Sequence, residues 1–221
     1  MVSNPSPNTR SAPAAKISGP GRPKDLGKRA AILEAAKLLF PREGFAGVSM
    51  DQIAAEAGVS KLTVYSHFGD KEALFFATVQ AKCDEMLPHD LFAQELKGPL
   101  PAQLKAIASA FFALISSDEA ISTHRMMITP GNADDRLRKL FWEAGPQRTQ
   151  AAFSAFLQSR VDAGELEIPD VSRATEQFFA LIKGELHSRM MCGVCAKPVR
   201  GDVDAHINAT VDMFLRAYAK R

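Results

Sequence analysis

The segment SMDQIAAEAGVSKLTVYSHF, residues 49–68, carries the most specific pattern in the chain. Ser49 and Gln52 have the spacing of a capping box, in which a hydroxyl and an amide side chain satisfy free backbone groups at a helix N-terminus. They predict a short helix that ends at Gly58, and Ser60 is a favourable N-cap for a second short helix. Two short helices joined by a glycine-containing turn predict a helix-turn-helix.

The second helix of this pair has an unusual outer face. Val64 and Phe68 form an i, i+4 pair that is expected to point into the core. The remaining side chains form what we call the reading face: Lys61, Leu62, Thr63, Tyr65, Ser66 and His67. An apolar leucine among hydroxyls and cations suits a DNA major groove, where apolar groups contact thymine methyls and polar groups bond to base edges.

Further DNA contacts are expected on both sides of the reading face. Tyr65, His67 and Lys71 are placed for phosphates. The run Gly-Arg-Pro-Lys at 21–24 can lay an arginine in a narrow minor groove, or it is only a linker. The complete set of predicted DNA-contacting residues is Arg22, Lys24, Ser49, Lys61, Leu62, Thr63, Tyr65, Ser66, His67 and Lys71.

Composition and charge agree with one basic end on an ordinary folded body. The chain has 221 residues, 46% of them hydrophobic, and a net charge of +2. Residues 1–71 hold ten Lys or Arg and six Asp or Glu, against 17 and 19 in the remainder. A basic end suggests an anionic partner such as nucleic acid, although a solvated tail would have the same charge. Residues 1–21, rich in Pro and Ser, predict a disordered basic arm.

Helical periodicity continues to the end of the chain. The spacing predicts a first helix that Gly44 stops, a fourth from Lys71 towards Leu87, and six more beyond Pro101. No segment has sustained period-2 alternation. The sequence therefore predicts an all-α protein of about nine to ten helices. We expect the arm to be followed by a three-helix helix-turn-helix domain, 22–71, and a larger helical domain, 72–221.

The residues quoted so far resemble the TetR/AcrR family of bacterial transcriptional regulators. The resemblance is carried by Leu39-Phe40, Gly44-Phe45, Ser49 and the unbroken run TVYSHFGDKEALF at 63–75. The rest is similar to the subgroup with an AefR-like C-terminal domain. Its matching stretches are LFWEAGP at 140–146, QFFALIKGEL at 177–186, and Gly193.

The resemblance implies a homodimeric repressor, and no cofactor is predicted. Its two recognition helices would read a palindromic operator, and a small-molecule effector held among the central helices would release the DNA. It also implies that the last two long helices form the dimer interface. The residues expected there are Phe178, Leu181, Ile182, Leu186, Val211, Phe214, Leu215 and Tyr218.

Many large, soft side chains of the second domain can serve either as core or as the wall of an effector pocket. Sequence alone does not separate these two uses. The residues predicted to line the pocket are Phe75, Phe111, Phe112, Met126, Met127, Phe141, Trp142, Phe178 and His124. Arg125 and Glu185 are further candidates for orienting a ligand.

Other functions are also open at this point. Cys192 and Cys195 have the C-x-x-C spacing of redox and zinc sites, and a thiol or metal enzyme is one alternative. Only two thiols are local, however, and no βαβ pattern surrounds them, so loop packing is favoured and no metal is predicted. A nucleoid-associated architectural protein is another alternative. The odd cysteine count fits a reducing cytoplasm, and no apolar run reaches the length of a membrane span.

Overall fold

The computed structural model of the chain describes Met1, residues 25–92 and residues 98–220. Within these residues the chain forms ten α-helices, a short 3₁₀ helix at His89–Phe92 and one isolated β-bridge. The α-helices are α1 (Leu26–Gly47), α2 (Met50–Glu56), α3 (Lys61–Phe68), α4 (Lys71–Met86), α5 (Leu100–Ile115), α6 (Asp118–Ile128), α7 (Asp135–Ala144), α8 (Pro146–Asp162), α9 (Val171–Met191) and α10 (Arg200–Tyr218). The prediction of an all-α fold is confirmed. Arg22, Lys24 and the rest of the predicted arm after Met1 lie outside the described residues.

Side-chain caps set the beginnings of the N-terminal helices. Ser49 and Gln52 form the complete capping box of α2, as their spacing predicts. The hydroxyl of Ser60 accepts from the N–H of Thr63 at the start of α3, and the carboxylate of Asp70 caps α4 in the same way. Each cap satisfies a backbone N–H that the first helical turn would leave without a partner. These local bonds set where α2, α3 and α4 begin.

α1 contains two irregularities near its end. Pro41 lies inside the helix and lacks an N–H, so one backbone hydrogen bond of the ladder is missing there. Gly44 has a φ of 74°, which ends regular helical geometry at the predicted residue. Left-handed φ values cost little for glycine, because it has no Cβ. The chain then turns through Gly47 towards α2.

Two hydrophobic cores hold the helices together. The first is built around α1–α4, but it also takes in Met126 and Met127 of α6 and Leu137 of α7. The second surrounds α5, whose mainly apolar surface packs against α9 and α10, and it also takes in buried residues of α8. α6 and α7 therefore join the N-terminal helices to the rest of the chain through shared apolar packing.

α9 is interrupted at Gly184, where φ is 47° and ψ is −156°. The imidazole of His206 on α10 lies against this break, and its Nε2 is 2.9 Å from the carbonyl oxygen of Ile182. A Cβ placed on Gly184 would lie 2.7 Å from the ring. The break thus gives α10 a polar contact with the backbone of α9.

The described residues contain no single helix that is both long enough and apolar enough to cross a membrane. α5 and α6 meet those criteria only when they are taken together, as a pair bent by 65°.

Candidate DNA-reading face and internal cavity

The reading face lies on the outer side of α3. Val64 is fully buried beneath it, whereas Leu62 is 78% exposed and Tyr65 is 42% exposed. Lys61 is also exposed, and its Nζ lies 3.0 Å from a carboxylate oxygen of Asp51. This hydrogen bond raises the pKa of Lys61 above its ordinary value, so the Lys61 side chain is positively charged at neutral pH. The face therefore presents an apolar group, a phenol and a cation side by side.

Several polar side chains of this region already have backbone partners. The hydroxyl of Ser49 belongs to the α2 capping box, and that of Ser66 donates to the carbonyl of Thr63 at 2.8 Å. Thr63 is half-buried, with its hydroxyl 2.8 Å from that of Ser60. His67 is half-buried as well. DNA contacts by these four residues remain predictions, and any hydroxyl contact would have to share or replace its present bond.

Lys71 is half-buried and its ammonium already has partners within the chain, so its phosphate contact remains a prediction. Its Nζ donates to the carbonyl oxygens of Phe45 and Val48, both at 2.9 Å, and lies 4.4 Å from the centre of the Phe45 ring. A cation satisfies free carbonyls at a helix end and interacts favourably with an aromatic face. The ammonium therefore fastens the start of α4 to the segment between α1 and α2.

A cavity of about 970 Å³ opens among α1 and α4–α9. Its walls include Leu38 and Pro41 of α1, Val79 of α4, and two phenylalanines, Phe111 of α5 and Phe179 of α9. Leu38, Trp142 and Ile128 are partly exposed and mark an apolar opening. The helix that leads into the helix-turn-helix is thus itself part of the cavity wall.

Six of the nine predicted pocket residues line this cavity: Phe75, Phe111, Met127, Phe141, Trp142 and His124. The other three do not, and the prediction is corrected for them. Phe112 and Phe178 are packed in the second core, and Met126 packs in the first core, where its sulfur accepts from the N–H of Phe45 at 3.1 Å. The sequence marks all nine as core or pocket candidates, but only the tertiary packing decides which space each side chain fills.

The two further polar candidates also lie elsewhere. The guanidinium of Arg125 donates to the carbonyl oxygens of Met190 and Met191, at 2.6 and 3.0 Å, and so caps the end of α9. Glu185 is exposed and does not line the cavity. The cavity instead has polar residues that the sequence reasoning missed, among them Lys37 and Lys183.

Most cavity-lining charges are paired across helices. Lys37 of α1 bonds to Glu34 and, at 2.9 Å, to Glu85 of α4. Burial alone would lower the pKa of Lys37, but these hydrogen bonds raise it overall. Lys82 of α4 pairs with Glu119 of α6 at 3.7 Å. These pairs connect α4 to its neighbours along the edge of the cavity.

The predicted dimer interface is corrected by the burial of its residues. Phe178, Ile182, Val211 and Phe214 are at most 2% exposed within one subunit, so they cannot contact a second copy. Leu186, Leu215 and Tyr218 are half-buried. Of the predicted set, Leu181 alone is exposed. The apolar residues that recur along α9 and α10 therefore mark mainly the sides of these helices that pack within one subunit.

The three cysteines all lie within the described residues and are free thiols. Cys192 is exposed and Cys195 is half-buried, both just beyond α9. Cys83 borders the cavity, and burial raises the pKa of its thiol to about 11. Such a thiol stays protonated and unreactive at neutral pH. Among the described residues, no three His, Cys, Asp or Glu side chains are grouped as a metal site.

Comparisons with known proteins agree with both parts of this structure. Residues 32–78 match the family model described as bacterial regulatory proteins of the tetR family. Residues 102–220 match the model of the AefR-like transcriptional repressor C-terminal domain. The second match alone covers more than half of the chain.

Individual proteins give the same result. The chain is 34% identical over 91 residues to the HTH-type transcriptional activator FasR of Mycolicibacterium smegmatis, covering 41% of this chain and only 42% of that protein. It is 30% identical over 165 residues to the HTH-type transcriptional regulatory protein RaaS of Mycobacterium tuberculosis, covering 74% and 71%. The solved structure of the flavonoid-responsive regulator FrrA aligns with a TM-score of 0.69 at 31% identity, covering 88% of this chain and 98% of that one.

Proposed function

This chain belongs to the TetR family of bacterial transcriptional regulators, which are DNA-binding proteins and not enzymes, and on that premise we propose that it is a homodimeric repressor whose small-molecule effector releases it from a palindromic operator. We also propose the division into a DNA-binding domain, 22–71, and an effector-binding and dimerisation domain, 72–221. The alternative of a thiol or metal enzyme is set aside by the family.

The exposure of Leu62 at the centre of the reading face is the observation that carries the operator proposal. A leucine that is 78% exposed is not stabilised by burial within its own subunit, but it can contact thymine methyl groups in a major groove. Lys61 beside it supplies the charge for a base edge or a phosphate. With two subunits, the two α3 helices would enter successive major grooves about 34–36 Å apart.

The cavity supports the effector part of the proposal. Its walls include α1, which leads into the helix-turn-helix, and α4, whose Lys71 fastens the α1–α2 segment. A ligand that favours one arrangement of these helices would change operator affinity by its differential binding to the two states, typically 5–150-fold for a coupling of about 1–3 kcal/mol. The flavonoid-responsive regulator with a similar structure supports an effector-responsive assignment.

For the dimer we propose the outward sides of α9 and α10 in place of the buried residues. Leu181 is 37% exposed and Met213 is 49% exposed. Ala205, Ala209 and Ala217 are exposed at four- and eight-residue spacings around Met213. Small residues with two larger apolar groups allow close packing of two helix pairs about a two-fold axis.

The test of the operator proposal is selection of preferred sequences from a random duplex pool, followed by titration at several salt concentrations. The proposal expects an enriched palindrome and an affinity that falls steeply with salt, as phosphate contacts require. Leu62→Ala should change which bases are preferred. Lys139→Met, on the exposed side of α7, is the matched control and should leave preference unchanged. Uniform coating of duplexes without a preferred palindrome would refute it and favour the architectural alternative.

The effector part has its own test. Titration of the wild-type protein on its selected duplex with candidate ligands should find compounds that lower DNA affinity in the range given above. Ligands that bind in the cavity but raise DNA affinity would refute the repressor-release scheme while leaving operator binding intact.

A further inference from the structure

The proposed effector cavity has an aromatic lining and one lysine that has no carboxylate partner. Rings of Phe75, Phe111, Phe141, Trp142 and Phe179 all contribute to its walls. Aromatic rings favour flat apolar ligands through stacked and edge-to-face contacts. The volume of about 970 Å³ lies at the upper end of the range of roughly 300–1,000 Å³ found for small-molecule sites. The cavity can therefore hold a ligand with several rings.

Lys183 of α9 is the exception among the cavity-lining cations. Lys37 and Lys82 have carboxylate partners within 4 Å, and Arg138 has Asp135 at 2.9 Å. Across the part of the chain that the structure describes, Lys183 has neither an ion pair nor a hydrogen bond. Desolvation by the surrounding protein lowers the pKa of Lys183, which means that its charged form is less favourable here than in water. Lys183 as a whole is exposed, so its ammonium is free to bind the negative charge of a ligand in the cavity that its side chain borders.

Two histidines lie near Lys183, but only His124 lines the cavity. His124 of α6 lines the cavity, and its Nδ1 donates to the carbonyl of Ala120 at 2.9 Å, leaving Nε2 without a described partner. His187, one turn beyond Lys183 on α9, has its ring centre 6.1 Å from that of His124, and its Nε2 is buried without a hydrogen bond. Burial lowers the pKa of both rings, and the charge of Lys183 lowers both further.

We infer that the cavity takes a hydrophobic aromatic anion, whose acidic group binds the ammonium of Lys183 beside His124 while its rings lie among the phenylalanines. This inference rests on the proposed function, because it names the chemical class of the effector. The acidic group would supply the missing countercharge, and the imidazole of His124 adds a polar group to the cavity wall. A neutral molecule of the same shape would gain the aromatic contacts but leave Lys183 unpaired.

Two fluorescent probes with a common ring system separate these contributions. 8-Anilinonaphthalene-1-sulfonate is an aromatic anion, and N-phenyl-1-naphthylamine is the same skeleton without the sulfonate. Both are titrated into the full-length wild-type protein and into Lys183→Met, which keeps the length of the side chain and removes the charge. Because Lys183 is exposed and makes no ion pair or hydrogen bond among the described residues, the variant is expected to fold. Lys139→Met serves as the matched control.

The inference expects Lys183→Met to weaken binding of the sulfonate about ten-fold or more, the usual worth of a charge-assisted hydrogen bond, and to leave the neutral probe unchanged. Lys139→Met should leave both unchanged. Equal effects on the two probes, no effect on either, or a wild-type protein that does not bind the sulfonate would overturn it.

DNA binding by the same proteins separates this result from the proposed function. If the wild type and Lys183→Met both bind the selected palindrome while the probes are not distinguished, the anion inference alone fails. If the wild type has no preferred palindrome, the proposed function fails, whatever the probes do.

Discussion

Replacement of Lys71 tests whether this residue holds the domain together or contacts DNA. In Lys71→Met the two hydrogen bonds from Nζ to the carbonyls of Phe45 and Val48 are lost. A hydrogen bond from a charged group contributes at least about 1.5 kcal/mol, so the free energy of unfolding should fall by about 3 kcal/mol. For a chain of this length each kcal/mol shifts the thermal midpoint by about 2–4 °C, which gives an expected loss of about 6–12 °C.

The assay combines thermal unfolding, followed by circular dichroism, with duplex binding measured well below the midpoint. Lys61→Met is the matched control, because Lys61 is exposed and pairs only with the equally exposed Asp51. Its midpoint should change little, as is usual for a surface ion pair, while its DNA affinity falls. If Lys71→Met keeps the wild-type midpoint and instead weakens DNA binding with a reduced salt dependence, Lys71 is a phosphate ligand and the structural role is refuted.

Three other outcomes are expected. Gly184→Ala should lower the free energy of unfolding by about 2 kcal/mol, because φ is left-handed and the new Cβ would lie 2.7 Å from the His206 ring. A denaturant titration measures this change. A variant as stable as the wild type would contradict this packing. Since burial lowers the pKa of His187 to about 4, the unfolded chain takes up its proton first, and stability should fall by up to about 3 kcal/mol as the pH drops from about 6.5 towards 4. His187→Gln should show a shallower fall in the same pH series, and an equal slope in both proteins would exclude this group as its source. Met213→Asp should convert dimers to monomers in light scattering if the exposed sides of α9 and α10 meet, and a variant that remains dimeric would place the interface elsewhere.

Signals that act over a few residues made the N-terminal fold predictable. Ser49 with Gln52, and Ser60 with Thr63, cap helices within one turn, so their spacing alone sets where α2 and α3 begin. Gly44 likewise ends the regular part of α1 through its own backbone freedom. The same local bonds bring the reading face outward, because Val64 must point inward once the helix has started.

Features that depend on distant parts of the chain were not predictable in this way. The role of Lys71 depends on carbonyls that lie 23 and 26 residues earlier in the chain. Phe178 and Val211 have the periodicity of buried residues, but periodicity does not tell whether the cover comes from the same subunit or from a partner. Lys183 did leave a signal, a lone cation in the apolar run FFALIKGEL, and that signal could have placed it at a cavity.

Pro41 gives α1 a particular mechanical property. The missing N–H leaves the carbonyl of Lys37 without its helical partner, and both residues border the cavity. The helix is therefore weakened beside the cavity, only eight residues before the capping box that starts α2. If a ligand fills the cavity, we expect added bulk at this point to be relieved by bending of the helix. A homologous series of ligands is accordingly expected to shift the balance between the two arrangements of the helix-turn-helix and the body of the protein to different extents.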